Sequence, residues 1–179
     1  MDIVFSLPHL FYAKSNPTED AAVLCELVEC LARIDGLYLK YHPKTPSIYK
    51  SGVVYGRTDE WLPIPACREL GYADCKSVTA WRLAELRARG LNATPEHRWM
   101  KRADGVKDFH ILLRLDDGTN EDPSKILGMG KDENAYFGPG NGGRAAPRVM
   151  AASNTDWDAK FRKASPPSNN GWGDGFRGR

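Results

Sequence analysis

The first clear pattern of hydrophobic and polar positions along the chain has the period of a helix. Apolar side chains recur every three or four residues between residues 17 and 34, which predicts an amphipathic α-helix. The segment Asn16-Pro17-Thr18-Glu19 supplies a cap, a proline suited to the first turn and a glutamate placed for a capping box. Gly36 is expected to end this helix. Its predicted buried stripe consists of Val23, Leu27, Leu31 and Ile34.

A second helical pattern begins at Asp74 or Cys75 and runs to about Arg89, where Gly90 is expected to stop it. Apolar side chains cover most of its circumference. The narrow polar face that remains consists of Arg82, Glu85 and Arg89. Such broad apolar coverage predicts a helix that the rest of the domain largely encloses.

Alternation with a period of two follows, at residues 93–100 and again at residues 107–115. The sequence Asp116-Asp117-Gly118 predicts a turn, after which residues 119–123 return antiparallel. If the turn is a three-residue loop, Leu112 opposes Asp122 and His110 opposes Ser124. Asp122 then shares a face of the hairpin with His110, one diagonal step away. A two-residue loop without a bulge would instead place Asp122 on the other face.

The remaining segments are less regular. Residues 1–8 are typical of a short first strand. The proline-punctuated segment of residues 38–66 predicts either a binding or lid segment or a plain surface loop. From residue 131 the chain is rich in Gly, Asn, Ser and Pro, which predicts a tail with little core of its own. Aromatic residues in this tail suggest ordering against a partner; they are Trp157, Phe161, Trp172 and Phe176.

Composition limits the class of protein. Hydrophobic residues make up 41% and charged residues 27% of the 179 residues, as in a soluble globular protein. The net charge of +2 favours neither a nucleic-acid partner nor a membrane partner. The chain has neither a secretory signal nor a spanning stretch of apolar residues, so we expect it to work in a cytoplasm or within a larger particle.

The four cysteines show no CxxC pair and no spacing typical of zinc, so neither a metal nor another cofactor is expected. Without a signal peptide, reduced thiols are the default. Three of the four, Cys25, Cys30 and Cys67, are interpreted as small core residues.

The fourth cysteine is the candidate nucleophile. Cys75 lies where the first turn of a helix is expected, and free N–H groups and the helix dipole stabilise a thiolate there. The neighbouring Asp74 can cap the helix, but its carboxylate disfavours the thiolate. Most of the activation must therefore come from a histidine, for which His110 is the best candidate, with Asp122 placed to orient its ring.

Three segments carry a resemblance to a known family. The segments 71–79 (GYADCKSVT), 108–112 (DFHIL) and 117–123 (DGTNEDP) resemble the transglutaminase-like superfamily, and most of all the short versions encoded by tailed bacteriophages. The resemblance covers roughly residues 55–130. It implies that Cys75 is the nucleophile, His110 the general base and Asp122 the orienting carboxylate.

The resemblance also implies a fold and a function. The expected fold is α+β and papain-like over residues 1–130, with a central helix on a small antiparallel sheet and the tail at residues 131–179. The expected function is a phage-encoded cysteine peptidase or acyl transferase acting on a protein or peptide. The alternative is a virion structural or assembly protein that keeps the fold and docks onto phage structural proteins through its tail.

Three further residues have weaker claims to a role. Trp61 could donate its indole N–H to an oxyanion, although an aromatic lid or core residue is the simpler interpretation. His97 could replace His110 as the base, but its segment lacks an acidic partner at strand spacing. Asp108 is a second possible orienting carboxylate.

Overall fold

The computed structural model describes residues 16–101 and 103–130. They form a mixed α+β structure with a small antiparallel sheet. The elements in chain order are α1 (Pro17–Tyr41), a 3₁₀ turn (Ile48–Lys50), β1 (Val54–Tyr55), α2 (Ile64–Leu70), β2 (Tyr72–Ala73), α3 (Cys75–Ala88), β3 (Ala93–Lys101), β4 (Lys107–Leu115), β5 (Asn120–Glu121) and α4 (Pro123–Ile126). The predicted first strand at residues 1–8 and the predicted tail at residues 131–179 lie outside the described residues.

Helix α1 begins as predicted but ends later than predicted. The Asn16 side chain accepts a hydrogen bond from the Thr18 N–H at 3.0 Å, which caps the helix. The helix then continues through Gly36 to Tyr41, so the predicted end at Gly36 is wrong. Packing explains the continuation, because Tyr38 in the extra turn contacts one of the two hydrophobic clusters.

The predicted buried face of α1 is also wrong, apart from Leu31. Ile34 is 56% exposed. The buried face instead consists of Asp20, Ala21, Leu24, Val28, Leu31, Ala32 and Asp35. Two of these are carboxylates with distant partners: Lys107 Nζ lies 3.3 Å from Asp20 Oδ2, and the Ile64 N–H donates to Asp35 Oδ1 at 2.9 Å. Partners of this kind make a polar residue compatible with a core position.

Helix α3 is the central element, as predicted, and it packs against hydrophobic clusters on two sides. One cluster joins α3 to α1, β3 and β4 through residues such as Leu83 and Ile111. The other joins α3 to α2 and the segment before it through Trp81 and Ile64. Glu85 was expected on a polar face but is buried, because its carboxylate accepts hydrogen bonds from the Ile48 N–H and from Arg82.

The antiparallel sheet has the order β3-β4-β5. In the second hairpin, Leu113 pairs with Glu121, which is the register that a three-residue loop predicts. Gly118 adopts the left-handed conformation with φ of 79°, which that loop requires. Strand β5 ends at Glu121, however, so Asp122 caps α4 and Ser124 is helical instead of lying opposite His110.

The segment predicted to be irregular, residues 38–66, contains more structure than expected. Its first residues complete α1, and its last residues begin α2. Between them, β1 pairs in parallel with β2, which ends two residues before Cys75. This segment therefore helps to position the start of α3. Within residues 16–101 and 103–130, no helix combines the length and the apolar character needed to cross a membrane.

Two glycines with matched surroundings give a test of the helix boundaries. Among the described residues, nothing lies within 4 Å of a Cβ built on either Gly36 or Gly71. Gly36 lies within α1, whereas Gly71 ends α2 with φ of +76°. We expect Gly36→Ala to raise the free energy of unfolding by about 0.5–1 kcal/mol. Gly71→Ala should lower it by about 1–2 kcal/mol, because an L-residue is strained there. Urea denaturation of both variants measures the two changes, and a destabilising Gly36→Ala would contradict the helical assignment.

Candidate active site

Cys75 is the first residue of α3. The preceding Asp74 caps the helix, and its Oδ1 accepts a hydrogen bond from the Ser77 N–H at 3.4 Å. The Cys75 sulfur therefore lies at the positive end of a helix of 14 residues. This is the position that the sequence predicts for a nucleophilic thiol.

Lys76 compensates the charge of Asp74. Its Nζ forms an ion pair with Asp74 Oδ2 and donates to the Thr58 backbone carbonyl at 2.7 Å. The ammonium also lies 5.8 Å from the centre of the Trp61 ring. Burial raises the pKa of Asp74, and the contacts with Lys76 offset only part of that rise. The carboxylate that opposes a thiolate at Cys75 thus has a cation of its own.

His110 lies on β4 and connects the other two predicted residues. Its Nε2–H donates to Asp122 Oδ2 at 2.8 Å, and the Cys75 side chain is close enough to raise the pKa of the ring. Because Asp122 occupies Nε2, Nδ1 is the ring nitrogen that is left for the sulfur. The structure therefore brings Cys75, His110 and Asp122 together in the order that the sequence predicts.

The surroundings of His110 favour its protonated form. Burial lowers the pKa of this histidine, but the hydrogen bond to Asp122 and the interaction with Cys75 outweigh burial and raise the pKa from 6.5 to about 10. An imidazolium next to the sulfur stabilises a thiolate by charge. The arrangement therefore places a proton donor next to the Cys75 sulfur.

Both oxygens of Asp122 are held in place. Oδ2 accepts from His110, and Oδ1 accepts from the Lys125 N–H at 3.2 Å, since Asp122 caps α4. Burial raises the pKa of Asp122, but His110, the Lys125 N–H and the positive charge of Arg98 together hold it below its usual value. Asp122 is therefore a carboxylate with a fixed orientation.

A cleft of about 240 Å³ gives access to the sulfur and the imidazole. Its lining residues are Leu24, Tyr55, Arg57, Thr58, Asp59, Asp74, Cys75, Lys76, Asp108, Phe109, His110 and Ile111. Within the described part of the chain this lining does not include Asp122, which lies behind the imidazole. One side of the cleft comes from residues 55–59, within the segment for which a binding or lid role was one of two predictions.

The other candidate residues lie elsewhere or have other partners. His97 pairs with Ile111 in the β3–β4 register, whereas Arg98 pairs with His110, so His97 points to the opposite face of the sheet. Asp108 lines the cleft, but Asp122 is the carboxylate that binds the imidazole. Trp61 packs against the core and under the Lys76 ammonium, which fits the simpler interpretation of an aromatic packing residue.

Sequence reasoning missed Lys76 and Arg98. A cation in the first turn of a helix is electrostatically unfavourable, which is a signal that Lys76 has a specific anionic partner. The role of Arg98 depends on the β3–β4 register, since it places this side chain opposite His110. A register between two strands is not visible in the local sequence of either one.

The other three cysteines differ from one another. All four cysteines are free thiols. Cys67 is buried as predicted and donates to the Leu62 carbonyl, and burial raises the pKa of its thiol to about 12. Cys25 is half-buried, and Cys30 is exposed, so the interpretation of Cys30 as a core residue is wrong.

Among the described residues, no cluster of three or more His, Cys, Asp or Glu side chains could hold a metal ion.

No protein-family model matches the sequence, and neither a curated protein nor a solved structure is detectably similar to the chain. The geometry of the site is therefore the basis for assigning a function.

The raised pKa of His110 predicts a pH dependence of stability. The folded-state pKa of about 10 exceeds the ordinary value of 6.5, so the stabilisation is complete below pH 6.5 and is lost as the pH rises toward 10. We expect the wild-type protein to exceed His110→Gln in free energy of unfolding by an amount that shrinks over this interval. Urea denaturation at several pH values measures the difference.

His97→Gln is the matched control for this experiment. His97 also lies on the sheet, but burial lowers its pKa below 6.5, so this residue is neutral throughout the interval. The control should therefore keep the wild-type slope. A wild-type advantage over His110→Gln that stays constant up to pH 10 would show that His110 is not held in its protonated form.

Proposed function

We propose that this protein is a thiol-dependent amide hydrolase or acyl transferase, with Cys75 as the nucleophile, His110 as the acid–base residue and Asp122 as the orienting carboxylate. The observation that carries the proposal is the connected set of contacts from sulfur to imidazole to carboxylate, with the sulfur at a helix start and the imidazole in a cleft. A buried imidazole with a strongly shifted pKa inside a cleft is a recognised sign of a functional site.

The same order of elements supports a papain-like or transglutaminase-like fold for this domain. A helix begins at the cysteine, an antiparallel strand carries the histidine, and the aspartate follows the next strand just before a proline. They match the pattern expected from the resemblance of the sequence to the short phage-encoded members of that superfamily, except that Asp122 follows the strand instead of lying on it. We extend the proposal accordingly to a cysteine peptidase of bacteriophage origin that acts on a protein or peptide, in the host cytoplasm or in association with the virion.

The proposed reaction begins with the thiolate of Cys75 attacking an amide carbonyl carbon. A new C–S bond forms, and the carbonyl oxygen takes up negative charge, for which the Cys75 N–H at the helix start is a candidate donor. The imidazolium of His110 then gives its Nδ1 proton to the leaving nitrogen, and the C–N bond breaks. The products at this stage are a free amine and a thioester on Cys75.

The second half of the reaction releases the acyl group. Neutral His110 takes a proton from a water molecule or from an acceptor amine, which attacks the thioester carbonyl. The C–S bond breaks and the thiolate–imidazolium pair forms again. Asp122 stays ionised throughout and holds the ring with Nδ1 toward the sulfur. Water yields hydrolysis and an amine yields transfer, and the same three side chains serve both outcomes.

Alkylation of the thiols tests this proposal without a known substrate. At neutral pH, iodoacetamide should modify Cys75 about tenfold faster than Cys30, although Cys30 is the more exposed thiol, because within residues 16–101 and 103–130 Cys75 is the one of the two that has an imidazolium partner. The rates are measured by mass spectrometry of the peptides that contain each cysteine. Cys30 thus provides an internal reference within the same chain.

His110→Ala should reduce the rate at Cys75 to that of Cys30 or below and leave the rate at Cys30 unchanged. Turnover of a simple activated ester, such as p-nitrophenyl acetate, should be lost in Cys75→Ser. Labelling of Cys75 at the rate of Cys30 in the wild-type protein would refute the proposal and would favour the alternative of a structural or assembly protein.

A further inference from the structure

One face of α3 carries Cys75 and two further side chains that contact residues adjacent to His110 and Asp122. Cys75, Thr79 and Arg82 are spaced by four and then three residues, so they lie in a row along the helix. Cys75 is the nucleophile itself. The Thr79 side chain contacts the strand that carries His110. The Arg82 side chain contacts the strand that precedes Asp122.

Thr79 is bound to the strand of His110. The residue is fully buried, and its hydroxyl donates to the Ile111 carbonyl at 3.1 Å. A helical threonine commonly donates to a carbonyl of its own preceding turn. Here the Thr79 hydroxyl instead joins α3 to β4, and the strand residue that it binds, Ile111, directly follows His110.

Arg82 is bound to the strand that leads to Asp122. Its Nε donates to Glu121 Oε1 at 2.5 Å, and its Nη2 donates to Glu121 Oε2 at 3.3 Å. The Tyr49 hydroxyl also donates to Glu121 Oε1, and the Arg82 guanidinium lies 5.1 Å from the centre of the Tyr49 ring. Glu121 directly precedes Asp122, so this bidentate contact fixes the chain one residue before the orienting carboxylate.

The strand β5 needs such a contact because it is short. It has two residues, pairs with β4 at Leu113 and Arg114, and leads into a helix of four residues. Elements of this length contribute little rigidity by themselves. Arg82 joins the position of Asp122 to the same rigid helix that carries Cys75.

We propose that Thr79 and Arg82 are positioning residues of this site, which hold His110 and Asp122 at fixed distances from Cys75 along one helix face. This inference rests on the proposed function. Neither residue touches the reacting atoms. Each acts through the backbone next to a triad member, so its loss shifts the geometry of the triad without removing a reacting group.

The chain offers a matched control on the same helix. Arg87 also forms a bidentate ion pair, in which Nη1 and Nη2 contact the two Glu29 oxygens at 2.5 and 2.8 Å. That pair joins α3 to α1, and Arg87 does not share the face of Cys75 and Arg82. Arg82→Met and Arg87→Met therefore each remove one bidentate arginine from α3, but only the first touches the proposed row.

The measurement is the rate of Cys75 alkylation as a function of pH, alongside the free energy of unfolding from urea denaturation. We expect Arg82→Met to reduce the rate at neutral pH by about threefold to tenfold and to move the profile toward that of an ordinary thiol. Arg82→Lys should recover part of the loss. Arg87→Met should change the rate by less than about twofold. If Arg82→Met does not fold, Glu121→Gln removes the charge of the same contact and carries the same test.

Thr79 has its own pair of variants. Thr79→Val keeps the shape of the side chain and removes the hydroxyl, whereas Thr79→Ser keeps the hydroxyl and removes a methyl group. We expect Thr79→Val to shift the alkylation profile in the same direction as Arg82→Met, and Thr79→Ser to resemble the wild-type protein. The reverse order would show that packing, and not the hydrogen bond to Ile111, is what matters.

The outcomes separate this inference from the function on which it rests. A reactive wild-type Cys75 whose profile survives both Arg82→Met and Thr79→Val overturns the positioning role and leaves the triad standing. If His110→Ala also leaves the wild-type profile unchanged, the triad itself fails. If Arg87→Met shifts the alkylation profile as much as Arg82→Met does, the effect comes from general destabilisation of α3. This result also overturns the positioning role.

Discussion

The hydrogen bond between His110 and Asp122 is the interaction on which the site depends. It orients the imidazole, leaves Nδ1 for the sulfur of Cys75, and contributes to the raised pKa of the ring. The three side chains come from the start of α3, the middle of β4 and the residue after β5, so the fold must hold three separate elements in register. The short β5 and the cap of α4 complete the arrangement, because Asp122 uses one oxygen for the helix and the other for the imidazole.

The residues on either side of Cys75 must cap α3 without leaving an uncompensated negative charge beside the sulfur. A cap is needed to place a free positive helix end at the sulfur, and Asp74 supplies it. The same carboxylate would oppose a thiolate, and Lys76 offsets its charge while also binding the Thr58 carbonyl at the edge of the cleft. One residue on each side of the cysteine therefore contributes to the electrostatics of the site.

Features that depend on neighbouring residues could be predicted from the sequence. The limits of α3 follow from Asp74 and Gly90, and the β4–β5 register follows from a glycine in the turn. These two local features place Cys75 at a helix start and Asp122 near His110. The candidate site was therefore more predictable than the first helix.

Features that depend on distant partners could not be predicted. The buried face of α1 contains Asp20 and Asp35, whose partners are separated from them by 87 and 29 residues, while apolar Ile34 faces outward. Hydrophobic periodicity therefore selected the wrong face of that helix. The contact between Arg82 and Glu121 spans 39 residues, and nothing in the local pattern distinguishes Arg82 from a solvated arginine. Buried polar groups need hydrogen-bond partners, and the periodicity of a single sequence does not show which distant residues supply them.

The protonation state of His110 shows most directly whether the sulfur, imidazole and carboxylate form a coupled group. In ¹⁵N-resolved NMR spectra of the imidazole, we expect both ring nitrogens of His110 to be protonated at neutral pH, and the ring to lose one of these protons only near pH 10. Removing the sulfur in Cys75→Ala should lower that titration point. A His110 ring that becomes neutral near pH 6.5 in both proteins would show that the sulfur, imidazole and carboxylate do not form a coupled group.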